Sequence, residues 1–434
     1  MTTAIKRLHL EKCVAEGLVH SIDESLVDAY CGSKHARGNG GKRYRRAGGT
    51  RRRPGTCLGR LDLRVSKVRD TQKEGTQEHF RPLEDVLVFD GRRVYQEDIS
   101  MIGVELATKM TYRDAWREGR LFVDDMPSPR TINRRAIEYG ELIKTFNTEA
   151  VRDASLGTAF VDASMTATRE KTRSHGWKRS KNIVLVTLGV DKNGDKKLVD
   201  ASVNSTWNKV AKEVDAANSL DKEAVVVGDD CIELRKAFAK GRRRYQLDMI
   251  HAIRTAGYKL WKDMGKDMCL KDRRTIVKEL EKLLYTLKGS VEKHLEDGDV
   301  GALRRRINWF VKRVKSLAVR LLKLGCWQTP WFLLEVSNYV VTFAWLAVEG
   351  KRVPWNSNII ERLMGEVSKR AKHRWMSWSS RGLEAILNII LVRYTSEDLY
   401  EEFKRKIMKL DVANYINCKV QVLHAGSGVN FNQS

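Results

Sequence analysis

The sequence predicts an α/β protein with a mixed five-stranded sheet, an all-α insertion after it and a mainly helical region before it. Between residues 157 and 251, short apolar runs typical of strands alternate with amphipathic helical segments. From residue 252 to residue 350 the strand pattern stops, and helical periodicity continues through two long stretches. The chain is therefore expected to combine a sheet with a separate helical body.

The composition points to a polyanionic partner. The 434 residues include 80 Lys and Arg against 55 Asp and Glu, which gives a formal net charge of +25. An apolar share of 42% is sufficient for a core and argues against general disorder. So large a positive excess is more than solubility requires, and it argues against an enzyme whose only partner is a small neutral molecule.

Cysteine usage and hydropathy predict a soluble intracellular protein. The seven cysteines form no CxxC pair, which disfavours a disulfide framework or a standard zinc finger. No apolar run near the start is long enough for a signal peptide. The most apolar stretch, residues 331–348, contains Glu335, so we expect a buried helix and no membrane span. The expected location is the cytoplasm, in association with the nucleoid.

The region before the sheet contains a Gly-rich basic segment, residues 31–60, with ten Lys and Arg and no acid. We interpret it as an arm that follows DNA phosphates and becomes ordered on binding; a solvated loop is the alternative. Residues 60–69 alternate like a strand. The side chains of the arm that are expected to contact DNA are Arg43, Arg45, Arg46, Arg51, Arg52 and Arg53.

Residues 98–150 predict three helices in the manner of a helix-turn-helix module. Ser128 is a suitable N-cap for the third helix, and Pro129 suits its first position. Arg130, Asn133 and Arg134 would then face outward, where they could contact DNA. An ordinary helical hairpin is the alternative.

The sheet segment predicts the element order β-β-β-α-β-α-β. Asn193-Gly194 marks a hairpin between the second and third strands. The first three strands can form a meander, and the last two can join the sheet by crossovers, which is the strand order of the ribonuclease H fold. Asp162 would lie at the end of the first strand, and Asp229 and Asp230 after the fourth.

The insertion contains a second basic stretch, residues 304–323, with eight Lys and Arg and no acid. Because Trp309 and Phe310 lie among these cations, the stretch could be a nucleic-acid surface; a solvated helix face is the alternative.

A helix over 358–374 then carries Glu361. The expected organisation is a basic N-terminal region (1–97), a helix-turn-helix-like module (98–150), the first part of the core (151–251), the helical insertion (252–350), a core helix with the third acid (351–400) and a C-terminal tail without a recognisable motif (401–434).

Asp162, Asp229 and Glu361 are the candidate catalytic acids. Phosphodiester cleavage benefits from two Mg²⁺ ions held by a few carboxylates, with water and phosphate completing their shells. Taken singly, an Asp after an apolar run is usually a strand terminator or a helix cap. The strand order and the spacing of the three acids favour a catalytic role.

The motif that follows the fourth strand brings a resemblance to a known family. Residues 247–251, LDMIH, resemble the Cys/Asp-x2-His signature of DDE transposases that carry a helical insertion before the Glu. FVDAS and VVVGDD resemble the strands of the first two acids, and NSNIIERLMGEVSKRAKHRWMSWSSRG resembles the segment of the third. The resemblance covers roughly residues 40–395 and is to transposases of archaeal or bacterial insertion sequences related to the Mutator-like elements.

The resemblance implies a site and a chemistry. Asp162, Asp229 and Glu361 would bind two Mg²⁺ or Mn²⁺ ions, with Asp248 and His251 nearby as phosphate or structural contacts. A water molecule would cut the transposon end, and the freed 3′-OH would attack target DNA. No P-loop motif is visible, so no nucleotide cofactor is expected.

The partners implied are double-stranded DNA, as transposon ends and target, and a second copy of the chain in a dimer or larger assembly. The basic residues after the third acid would hold phosphates, and two tryptophans could stack on an unpaired base or pack into the core. These side chains are Arg362, Lys369, Arg370, Lys372, Trp375 and Trp378.

Three alternatives remain at this point. The second acid could be Asp230, although the resemblance favours Asp229, because the family usually has a Gly after the acid. The protein could be a ribonuclease H-like nuclease that cleaves without joining strands. It could also be an inactive DNA-binding protein derived from a transposase.

Overall fold

A computed structural model describes residues 2–32, 43–73, 75, 78–87, 94–172, 176–265, 267–372 and 378–408. These residues form two compact units. The first contains the residues up to Tyr139 together with those from Tyr400 onward, and the second contains Gly140–Leu399.

The helices of the described residues are, in chain order, α1 (Thr2–Cys31), α2 (Glu97–Lys109), α3 (Tyr112–Gly119), α4 (Pro129–Ala150), α5 (Trp207–Ala216), α6 (Ile232–Phe238), α7 (Met249–Met264), α8 (Leu270–Asp297), α9 (Val300–Lys323), α10 (Gln328–Val336), α11 (Thr342–Val348), α12 (Asn358–Ala371), α13 (Ser380–Thr395) and α14 (Glu397–Met408). The strands are β1 (Tyr44–Arg52), β2 (Gly55–Thr56), β3 (Gly59–Arg60), β4 (Leu63–Asp70), β5 (His79–Phe80), β6 (Leu156–Thr172), β7 (Gly176–Val190), β8 (Lys196–Val203), β9 (Leu220–Gly228) and β10 (Arg244–Leu247).

The first unit contains a small sheet of order β1-β4-β5, which corrects the expectation of a flexible arm. Much of the Gly/Arg-rich segment is β1, paired antiparallel with β4. The pairing is stable because Val65 and Val68 of β4 are fully buried, in clusters that include Leu26 and Val27 of α1. The strand expected at 60–69 is present as β4. Residues 33–42 of the predicted arm lie outside the described residues.

The three helices expected between 98 and 150 are present as α2, α3 and α4. Ser128 accepts a hydrogen bond from the backbone N–H of Thr131, as an N-cap does. Ile132 is buried, while Arg130 and Arg134 are exposed and Asn133 is half-buried. This helical face keeps its cations in solvent; its contact with DNA stays a prediction.

The second unit is built on a mixed five-stranded sheet of order β10-β9-β6-β7-β8. The strands β6, β7 and β8 form an antiparallel meander, and β9 and β10 join parallel to β6 after the helices α5 and α6. The predicted element order is therefore confirmed. At the β7–β8 turn, Gly194 adopts a φ of 91°, which an L side chain would rarely tolerate.

The helices α7 to α11 form the body that follows the sheet. Leu284, Leu287, Ile307 and Phe310 lie in the buried core that joins these helices to the sheet. Phe310 is fully buried, so it is not available for stacking on a base, which corrects its prediction as part of a nucleic-acid surface. Trp309 is half-buried, with Arg306 over its ring at 5.1 Å.

The apolar stretch 331–348 is not one buried helix but parts of two, α10 and α11, separated by Ser337–Val341. At the start of α11, the Thr342 hydroxyl donates a hydrogen bond to the carbonyl of Tyr245 and so connects α11 to β10. Among the described residues, no helix is both long and apolar enough to cross a membrane.

Gly140 of α4 should be intolerant of a side chain. A Cβ at this position would lie 2.3 Å from the carbonyl oxygen of Ala385 in α13, and a helix backbone cannot move as a side chain can. We expect Gly140→Ala to lower the free energy of unfolding by about 3 kcal/mol in urea denaturation. Gly289→Ala is the matched control: it meets nothing within 4 Å on α8, and should raise stability by about 0.5–1 kcal/mol. Equal effects of the two substitutions would contradict the close packing of α4 on α13.

Candidate active site

Three aspartates lie level at neighbouring strands because of the register of the parallel strands. Phe160 of β6 pairs with Val227 of β9, and Leu247 of β10 pairs with Gly228 of β9. Continuing these registers by one or two residues places Asp162, Asp229 and Asp248 side by side at one edge of the sheet.

The position of Asp162 differs from the expectation. The sequence places it at the end of its strand, but β6 continues to Thr172. The strand continues because β6 and β7 remain paired as a hairpin as far as Thr172 and Gly176, beyond the end of β9. Asp162 is thus held in mid-strand at the point where β9 has stopped, which leaves space beside it.

Asp248 is a structural carboxylate. It is fully buried, and its Oδ1 accepts hydrogen bonds from the backbone N–H groups of Ile250 (2.6 Å) and His251 (3.0 Å), which caps α7. Its Oδ2 accepts from the backbone N–H of Ser357 (2.5 Å) and from the Ser357 hydroxyl (2.7 Å). Ser357 directly precedes α12, so a single carboxylate joins the start of α7 to the start of α12.

His251 connects two of the predicted acids. Its Nδ1 lies 3.0 Å from Oδ1 of Asp229, and its Nε2 lies 3.3 Å from Oε1 of Glu361. Glu361 is in the first turn of α12, where its backbone N–H donates to the Ser357 carbonyl. The imidazole therefore brings the helix acid close to the acid at the end of β9.

Burial and repulsion between carboxylates raise the pKa values of Asp162 and Asp229. Burial raises the pKa of Asp229 to about 6; His251 opposes the rise, while Asp162, Asp248 and Glu361 add to it. The pKa of Asp162 is also raised, mainly by burial, although the Ala163 N–H and His251 favour its charged form. A cation placed among these groups would relieve both the burial cost and the repulsion.

Asp230, the alternative second acid, has different surroundings. The charged groups that act on its pKa are Lys259, Glu335 and Arg235, not the acids of the site. The geometry thus brings Asp229 together with Asp162, His251 and Glu361 and leaves Asp230 apart.

The donor set is chemically suited to a hard divalent cation, since Asp162, Asp229 and Glu361 offer carboxylate oxygens. Within the described ranges, however, no three His, Cys, Asp or Glu side chains converge closely enough to hold an ion. Glu361 is held at His251, so it would have to turn from the imidazole to complete a set with the two aspartates.

The basic residues of α12 do not all face solvent. Arg362 and Lys372 are exposed, and Lys369 is exposed but pairs with Glu366 at 2.6 Å. Arg370 is buried, with its guanidinium 4.8 Å from the centroid of the Trp378 ring, which corrects its prediction as a phosphate contact. The reason is visible in the sequence: 363, 367 and 370 share one helix face, and that face is apolar.

Trp378 is itself buried, as in the core-packing alternative, whereas Trp375 lies outside the described residues. Most arginines of the predicted arm are likewise already paired. The ion pairs are Arg43 with Asp70, Arg46 with Asp28, Arg51 and Arg53 with Asp62, and Arg52 with Glu84. Arg45 is exposed. Local sequence patterns do not predict these partners, because none of them lies within one helical turn of its arginine in the chain.

Ser357 is the member of the site that sequence reasoning missed. Its hydroxyl and its backbone N–H both donate hydrogen bonds to the carboxylate of Asp248, which lies 109 residues earlier in the chain. A serine just before a helix normally indicates an N-cap, so the pattern predicts a local role and not this distant one.

The comparison with protein families agrees with the resemblance. Residues 6–293 match the model of a family described as Transposase, Mutator family. The matched span includes Asp162, Asp229, Asp248 and His251 and ends before Glu361. Among solved structures, the chain is similar to the Drosophila P element transposase strand transfer complex, at 14% identity and a TM-score of 0.28, over 73% of this chain and 84% of that one. No curated protein matches the chain.

Asp248→Asn should destabilise the second unit, although it only replaces one carboxylate oxygen by an NH₂ group. The asparagine oxygen can keep the α7 cap, but its NH₂ group would then face the buried N–H of Ser357. We expect a loss of about 2–3 kcal/mol in the free energy of unfolding. Asp299→Asn is the matched control, because Asp299 is an exposed N-cap that accepts only from Ala302, and it should cost less than about 0.5 kcal/mol. Similar costs for both variants would show that the bonds to Ser357 contribute nothing.

Asp229→Asn should change how stability depends on pH. The folded-state pKa of about 6 lies above the unfolded value of about 3.9, so protonation of Asp229 stabilises the fold below pH 4 and this stabilisation is lost as pH rises through 6. The variant lacks the charge at every pH. In EDTA its stability relative to wild type should therefore rise between about pH 4 and pH 7, by about 1 kcal/mol after allowing for solvent contact. A difference that stays constant over this range would contradict the assigned environment.

Proposed function

The chain belongs to the Mutator family of transposases, and we propose that it cuts DNA strands at transposon ends and joins them to target DNA at a DDE site of Asp162, Asp229 and Glu361. The observation that carries the proposal is the parallel register that sets Asp162 and Asp229 level, with Glu361 linked to Asp229 through His251. A ribonuclease H-like core is part of the proposal, and the sheet order β10-β9-β6-β7-β8 supports it.

We propose that Asp162, Asp229 and Glu361 hold two Mg²⁺ or Mn²⁺ ions. When bound, such ions stabilise negative charge on the phosphate and on the attacking and leaving oxygens. The chain supplies two carboxylates fixed by the sheet and a third on a helix. Burial, with a smaller effect of neighbouring carboxylates, raises the pKa values of Asp162 and Asp229, which supports a cation site because a bound cation would stabilise the charged carboxylates.

The proposed reaction has two steps. Hydrolysis breaks a phosphodiester bond at the transposon end and frees a 3′-OH. That hydroxyl then attacks a phosphodiester of the target, forms the new bond and releases the target's own 3′-OH. The number of phosphodiester bonds is unchanged in the second step, so no nucleotide cofactor is needed. Asp248 is a positioning residue, since it fixes the helix starts that carry His251 and Glu361.

Duplex DNA is the proposed partner, and exposed cations are the proposed phosphate contacts. Arg362 and Lys372 lie on the helix of the third acid, and Arg130 and Arg134 face solvent on α4. Two transposon ends must be held together for joining, so a dimer or larger assembly is proposed as the active form.

Alanine at each proposed catalytic acid should abolish both steps. Asp162→Ala, Asp229→Ala and Glu361→Ala are each expected to lower cleavage of the element's own end sequences by about a thousandfold or more in Mg²⁺, because each removes a ligand. Cleavage and joining are measured together by gel electrophoresis with labelled ends and a target plasmid.

Asp230→Ala is the matched control and should keep most of the activity, since the charged groups around Asp230 are not those of the site. Cleaved ends that are never joined to the plasmid would identify a nuclease. Full activity in the three alanine variants would refute the site. If wild type shows no cleavage, and Mn²⁺ causes no rise in its Tm with or without DNA, the inactive DNA-binding alternative holds.

A further inference from the structure

The outer face of α7 has an unusual surface. The helix begins next to the candidate site with His251, and its inner face buries Ala252, Ala256 and Leu260. Its exposed side chains are two cations and two large aromatics, Arg254, Tyr258, Trp261 and Lys262. Large aromatic side chains are costly to leave in water, so two half-exposed ones on a single helix face indicate a binding surface.

The two rings are arranged as a platform. Tyr258 and Trp261 are stacked with their planes 24° apart and their centroids 6.0 Å apart, and they keep 55% and 53% of their surface exposed. The ammonium of Lys262 lies 4.8 Å from the Tyr258 centroid. Each ring is therefore fixed by a neighbour on the same helix and still accessible.

The charged side chains exposed on this face of α7 are all positive. The one carboxylate of α7, Asp263, is engaged elsewhere: its oxygens accept from the N–H groups of Gln328 (3.0 Å) and Thr329 (2.7 Å) and so cap α10. Lys259 is turned towards α10, with its ammonium 5.2 Å from the Phe332 centroid. Arg254 and Lys262 thus flank the rings without a carboxylate on the exposed positions of the helix.

The face also leads away from the site. Seven residues separate His251 from Tyr258, which is two helical turns, so both point to nearly the same side. At 1.5 Å per residue, Tyr258 lies about 10 Å and Lys262 about 16 Å along the axis from His251. A DNA strand that leaves the site in this direction would reach the rings within a few nucleotides.

We propose that this face of α7 binds an unpaired stretch of the DNA strand next to the cut, with bases stacked on Tyr258 and Trp261 and phosphates held by Arg254 and Lys262. An unpaired strand fits better than a duplex, because the faces of paired bases are covered by their neighbours and only unpaired bases can stack on a side chain. The proposal rests on the proposed function for the identity of the strand, but the binding itself can be measured without catalysis.

The test compares binding of labelled oligothymidylate with binding of a mixed-sequence duplex of equal length, in EDTA, by fluorescence anisotropy. The double variant Tyr258→Ala/Trp261→Ala should bind the single strand at least about tenfold more weakly and bind the duplex unchanged. Tyr258→Phe/Trp261→Phe keeps two aromatic rings and should retain wild-type affinity. Tyr394→Ala is the matched control, since Tyr394 is an aromatic of similar exposure (50%) on α13 and should affect neither ligand.

The charged pair has its own readout. Arg254→Gln/Lys262→Gln should lower the slope of log affinity against log salt for the single strand by about 1.4, which is about 0.7 for each lost phosphate contact. Unchanged slopes would remove the two cations from the proposal.

Several results would overturn the proposal. They are an alanine double variant that binds oligothymidylate like wild type, an equal loss for single strand and duplex, or a changed oligomeric state in sedimentation with DNA affinity intact. If the alanine variant does not fold, the oligothymidylate affinity of the Phe variant and the salt slope of the Gln variant still test the proposal. Failure of the proposed function would appear separately, as wild-type protein that binds oligothymidylate through α7 but does not cut transposon ends in Mg²⁺.

Discussion

The buried carboxylate of Asp248 is the contact on which the candidate site depends. It accepts hydrogen bonds from the first turn of α7 and from Ser357 at the start of α12, which is 109 residues later in the chain. The chain leaves the sheet at the first point and returns at the second. Since both points are fixed to one side chain, the helices between them can form a body of their own without displacing His251 or Glu361. The length of a connection costs little free energy once its two ends are held.

The carboxylates of Asp162 and Asp229 lie close together at one edge of the sheet, and keeping them charged there costs free energy. Asp162 and Asp229 are partly withdrawn from water and repel each other, and their raised pKa values express that cost. Stability is commonly given up at functional sites in this way. His251 compensates in part by lying between Asp229 and Glu361. A site of this kind is well suited to a partner that brings positive charge, and the proposed metal ions are such a partner.

The sequence shows where the cations of the chain are concentrated, but only the structure shows which of them are already in ion pairs. The cations of the Gly/Arg-rich segment that the structure describes are mostly held in ion pairs on the small sheet of the first unit. Exposed ion pairs contribute little to stability and can be exchanged for phosphates, so they do not argue against DNA binding there. On the outer face of α7, next to the candidate site, Arg254 and Lys262 pair with no carboxylate of the described residues, and aromatic side chains lie beside them.

The sequence by itself determined the order of the strands, the approximate helices and the acids that the sheet would bring level. These features follow from local periodicity and from the rule that parallel strands end at one edge, so no distant contact is needed to predict them. Only the tertiary structure decided which polar groups are buried and what they bind. Arg370 is buried against Trp378, β1 pairs with β4 in place of an arm, and Asp248 holds Ser357. Each of these contacts depends on a partner that is distant in sequence, or on which face of a helix or strand meets the core. The local sequence pattern does not predict such contacts, because it does not contain the free energy of interactions between distant residues.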